Sequence, residues 1–111
     1  MKALKVNIHL SSQAGIKPEN QDACAYHAPS AQLLENKGIV GVIADGVSAC
    51  EKAKEASNTC VQGFLSDYYS TPDSWSTENS AVKVISALNN WLYSQSMRAD
   101  EVSSMLSTLS I

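Results

Sequence analysis

From Val6 to Leu10 apolar and polar residues alternate: Val6, Ile8 and Leu10 are interleaved with Asn7, His9 and Ser11. That period of two predicts a half-buried strand. Gly15 to Asn20, punctuated by Gly15 and Pro18, predicts a turn. A second strand is expected over about Asp22 to His27. Ala28 to Gly38, with Pro29, Asn36 and Gly38, reads as a polar connection. Ile39 to Ala44 is apolar without alternation, the pattern of a strand buried on both faces.

From about Ser48 the period lengthens. Ala53, Ala56, Cys60 and Phe64 recur at helical spacing, and Val61 and Leu65 widen the stripe. Thr71-Pro72-Asp73 breaks it. Thr77 then caps a second predicted helix whose apolar face includes Val82, Ile85, Leu88 and Leu92. Trp91, Tyr93 and Tyr69 are expected to pack between helices and sheet. Met105 to Ile111 reads as a further strand. Three strands, two helices and a strand define an α+β arrangement, not alternating βαβ units. Two amphipathic helices and about four strands need one more layer to bury their apolar faces. The C-terminal strand is an edge open to self-association.

Composition narrows the function classes. The 111 residues suit one small domain, and 44% hydrophobic with 17% charged content is ordinary for a globular chain. A net charge of −3 with no Lys/Arg run argues against nucleic-acid and anionic-membrane binding. Met1 to Val6 is followed by no signal-peptide core, and no stretch approaches the roughly 18 apolar residues of a membrane span. Cys24, Cys50 and Cys60 make an odd count with no C-x-x-C spacing. Reduced, mostly buried thiols in a cytoplasmic protein are expected. His9 and His27 are expected at the surface, His9 pointing outward from its strand and His27 near a hairpin end.

The candidate chemistry lies in two aspartates. Antiparallel pairing of the second and third strands places Asp22 opposite, or nearly opposite, Asp45. Facing residues have Cβ atoms about 5 Å apart, and like charges at that distance destabilise a sheet unless a cation lies between them. Hard oxygen ligands select Mg²⁺, Mn²⁺ or Ca²⁺. Gly46 leaves room beside the backbone and offers an unobstructed carbonyl. The plainer alternative is that Asp45-Gly46 opens a turn and Asp22 is an exposed loop carboxylate.

Two segments bear on that choice. Lys17-Pro18-Glu19-Asn20-Gln21-Asp22 and Val42-Ile43-Ala44-Asp45-Gly46-Val47 resemble the first two motifs of PPM-type (type 2C) metal-dependent serine/threonine protein phosphatases, approximately Arg-x-x-Asn-x-Asp and an apolar strand ending in Ala-Asp-Gly. Glu55-Ala56-Ser57 is similar to the family's first helix, and Met105-Leu106-Ser107-Thr108-Leu109 to the Ser/Thr-Thr-Leu strand after its second. The resemblance implies a four-layer α/β/β/α sandwich, two antiparallel sheets flanked by helices, with a two-metal Mg²⁺ or Mn²⁺ centre at one end. It implies that Asp22 ligates one metal, that Asp45 bridges both, and that Gly46 adds its carbonyl. Lys17 would grip the substrate phosphate, and Gln21 would hold a metal-bound water. The implied reaction is hydrolysis of phosphoserine or phosphothreonine in a phosphoprotein by a two-metal-activated water. No protein nucleophile is required, so neither Ser48 nor a cysteine has a role.

The chain departs from the pattern in several places. Lys17 stands for Arg, a point charge in place of a bidentate fork. Gln21 stands where an acidic residue is common. Val47 follows Asp45-Gly46 where some members carry His and many bacterial members Met. The downstream Gly-Asp-Ser/Thr-Arg segment and the late metal-binding aspartates do not occur. Residues 1–111 are therefore expected to be the N-terminal portion of one such domain, with little or no turnover alone. Two other readings remain open: a non-catalytic phosphatase-like module that binds or regulates phosphorylated partners, and an unrelated α+β binding domain in which both aspartates are turn residues.

Overall fold

A computed structural model of the chain describes residues 5–47, 52–97 and 107–111. The elements are β1 (Asp22–His27), α1 (Ala31–Lys37), β2 (Val40–Gly46), α2 (Ala53–Tyr69), α3 (Thr77–Ser96) and β3 (Ser107–Ser110). The three strands form one antiparallel sheet in the order β1-β2-β3, so the chain is a small α+β unit. No helix among the described residues is long and apolar enough to cross a membrane.

The core lies between one face of the sheet and α2, with α3 behind. Ala23, Val40, Val42 and Ala44 from the strands meet Cys60, Val61, Phe64 and Tyr68 from α2, then Val84 and Leu88 from α3. The α2 stripe is the one its spacing predicts. Burial in β2 nonetheless alternates, with Val40, Val42 and Ala44 inside and Gly41, Ile43 and Asp45 outside. Ile43 is 60% exposed. The expected burial on both faces is not met, because the described helices cover one face alone.

The expected strand over Val6 to Leu10 does not form, and Val6 and Leu10 are exposed. A period of two fixes which side chains share a face, but a strand also needs a ladder partner. Instead of an unbroken connection, α1 occupies Ala31–Lys37, stopped at Gly38, whose φ of 76° suits glycine. The Gly38 N–H donates to the Leu34 carbonyl at 2.9 Å.

Lys37 is 2% exposed. Its ammonium donates to the carbonyls of Pro72 (3.0 Å) and Trp75 (3.2 Å) and to Ser80 Oγ (2.9 Å), which satisfies its three donors. Tyr68 Oη donates to the Lys37 carbonyl at 2.7 Å. This knot binds α1 to the α2–α3 turn and draws Ser80 inward. The buried face of α3 is consequently Ser80, Val84 and Leu88, with Ala81 and Leu92 partly covered. Val82 and Ile85, expected inside, are exposed. The α3 cap is Ser76 in place of Thr77, its Oγ accepting from the Asn79 N–H at 3.1 Å.

Of the aromatic residues expected between layers, Tyr69 alone is there. Its hydroxyl donates to the Gly38 carbonyl at 2.8 Å, with the His27 carbonyl 3.1 Å away. Trp91 and Tyr93 are exposed. Cys60 is buried and burial pushes its thiol pKa up, while Cys24 is half-buried. Cys50 and Met105-Leu106 lie outside the described residues.

Candidate functional site

Asp22 opens β1 and Asp45 is the penultimate residue of β2, and the antiparallel register pairs them directly. The alternation of the two strands turns both side chains to the sheet face opposite α2. The strand ends are fixed by short hydrogen bonds. The Gly46 N–H donates to the Gln21 carbonyl at 3.0 Å, carrying the ladder one step past Asp22. Asn20 Oδ1 accepts from the Asp22 N–H at 3.0 Å, an Asx turn that presents the carboxylate. Asn20 Nδ2 donates to Ser12 Oγ at 2.8 Å. On the other side Asp45 faces Thr108 of β3. Thr108 Oγ1 lies 3.2 Å from the Asp45 N, and Ser107 Oγ donates to the Asp45 carbonyl at 3.2 Å.

The pairing has an electrostatic signature. The Asp22 pKa is pushed up, first by its side-chain hydrogen bond to Asp45, then by desolvation and by the Asp45 charge. The positive charge of Lys17 works against these. Asp22 and Asp45 line an open cavity of about 460 Å³ together with the segment from His9 to Gln13.

The five residues singled out from the sequence thus fare differently. Asp22 and Asp45 are brought together on an accessible surface. Lys17 is exposed on the 15–19 turn and is not part of the cavity lining, although its charge reaches Asp22. Gln21 is half-buried and holds the strand end through its carbonyl. Gly46 is buried, and a Cβ there would run into the Ala53 backbone at the start of α2. Its lack of a side chain therefore admits the start of α2.

The donor chemistry of the carboxylate pair fits a hard divalent cation, which would offset the like charges facing each other across the strands. Its count supplies part of a shell that prefers six oxygens. Among the described residues no group of three or more His, Cys, Asp or Glu side chains is placed to hold a metal. Three further contributors are given no role at the site by the sequence. Asn20 was legible in principle, since an Asn two residues before an Asp is an Asx-turn signal. Thr108 was not, because its role depends on the register of β3. His9 is exposed, as expected, and it also lines the cavity that holds both aspartates. No family model, no curated protein and no solved structure matches the chain.

Proposed function

We propose that the chain carries the N-terminal part of a PPM-type metal-dependent serine/threonine phosphatase domain, with Asp22 and Asp45 as its share of the metal centre. The observation that supports this most is the direct opposition of the two carboxylates across β1 and β2 on an open cavity. The motif order from Lys17 to Thr108 supports it further. When bound, Mg²⁺ or Mn²⁺ would acidify a water and offset charge on phosphoryl oxygens. The chain's own residues then divide the work. Asp22 and Asp45 hold the cation, Asn20 fixes the backbone of Asp22, and Lys17 attracts the phosphate of a phosphoprotein substrate from the rim. The proposal includes the four-layer sandwich with a second sheet over the Ile43 face, a cytoplasmic location, and self-association through the β3 edge.

Calorimetric titration of the chain with Mn²⁺ tests this reading. A saturable site that disappears in Asp45→Asn is expected. No binding, or binding indifferent to Asp45→Asn, sinks the proposal. The non-catalytic alternative is favoured by one observation, the two-carboxylate donor set among the described residues. It would keep cation-dependent phosphopeptide binding without turnover.

A further inference from the structure

The cavity over Asp22 and Asp45 presents an electrostatic difficulty that its own lining answers. A phosphate monoester entering it meets two carboxylates, so even beside a bound cation it needs hydrogen-bond donors from the rest of the lining. Lys17 is outside that lining. Cys24, Ile43 and two alanines donate nothing useful to an anion from their side chains. The 9–13 segment of the lining offers Ser11, Ser12, Gln13 and His9, and His9 alone among these side chains is able to carry a positive charge.

We propose that His9 is a substrate-contacting residue of this site, its imidazole N–H donating to a phosphoryl oxygen held above the Asp22–Asp45 pair. The inference rests on the phosphatase reading and extends it to a residue which the motifs do not include. The His9 segment is tied to the site, because Ser12 Oγ accepts from Asn20 Nδ2 at 2.8 Å and the same Asn20 holds the Asp22 N–H. The wall carrying His9 and the strand end carrying Asp22 are therefore set by one side chain. An imidazole keeps an N–H donor in either protonation state, so the contact does not depend on charge alone. His27 has no such access. It sits at the far end of β1, its ring 4.9 Å from that of Tyr69.

The test titrates inorganic phosphate into the whole chain in the presence of Mg²⁺, comparing the unsubstituted protein with His9→Ala and His9→Gln. His9→Ala is expected to weaken phosphate binding about tenfold, the loss of one charge-assisted hydrogen bond. Mg²⁺ affinity and the thermal midpoint should not move. His9→Gln, which keeps a donor without the charge, should fall between. Equal phosphate affinity in His9→Ala overturns the assignment. So does a parallel loss of Mg²⁺ affinity, which would place His9 on the cation. If Mg²⁺ binds in an Asp45-dependent way but the unsubstituted chain takes no phosphate, the His9 role fails and the metal site stands. If neither binds, both fail together.

Discussion

Asp22 keeps its proton more tightly in the fold than in the unfolded chain, because Asp45 faces it. A raised carboxyl pKa means that the folded state binds more protons across that interval. The stabilisation is fully present below the ordinary carboxylate range and is lost as pH rises through the raised value. Asp45→Asn removes the opposing charge and is expected to flatten this decline. Thermal midpoints of both proteins between about pH 3 and pH 7 read it directly, and parallel curves would contradict the coupling. Gly46 gives a second test at this scale. Gly46→Ala drives a methyl into the Ala53 carbonyl and is expected to destabilise by about 1–3 kcal/mol in chemical denaturation. A neutral result would mean that the α2 start moves aside easily.

The elements show where pattern reading succeeds and where it stops. β1 was legible residue for residue, and α2 was legible because Ala56, Cys60, Phe64 and Val61 make an unbroken stripe on one side. α3 was legible as a helix but not in its rotation. Its apolar residues lie on two sides, and Ser80 is drawn inward by Lys37 and Thr71, contacts that sequence spacing does not encode. Paired substitutions separate the two phases. Leu88→Ala is expected to destabilise by about 2–4 kcal/mol, and Ile85→Ala to stay within about 0.5 kcal/mol. Comparable losses at both positions would restore the face read from sequence. α1 escaped notice because seven residues are too few to display a period, although Ala31, Gln32, Leu33 and Glu35 favour helix.

Across the whole molecule, the α+β class and the Asp22–Asp45 register followed from sequence, while the layering did not. The Ile39–Ala44 run predicted cover on both faces, and the described helices supply one. The helical layer is joined to itself by apolar contact of Val84 and Leu88 with α2, and by a polar knot at α1. Lys37 ties α1 to the turn between α2 and α3, and every buried side-chain nitrogen and oxygen among the described residues has a hydrogen-bond partner. Lys37→Met leaves the Pro72 and Trp75 carbonyls without that donor and is expected to destabilise by about 3 kcal/mol. A gain in stability would show that the ammonium is a burden there.

The central claim is that Asp22 and Asp45 together hold a divalent cation. Amide NMR spectra recorded while substoichiometric Mn²⁺ is added test it most directly, since the ion broadens the resonances nearest to it. We expect early loss of signals at Asp22, Asp45 and the His9–Gln13 wall, abolished in Asp22→Asn and in Asp45→Asn. Broadening centred on other carboxylates, such as Glu19 and Glu55 near the start of α2, or unchanged by those substitutions, would contradict the account.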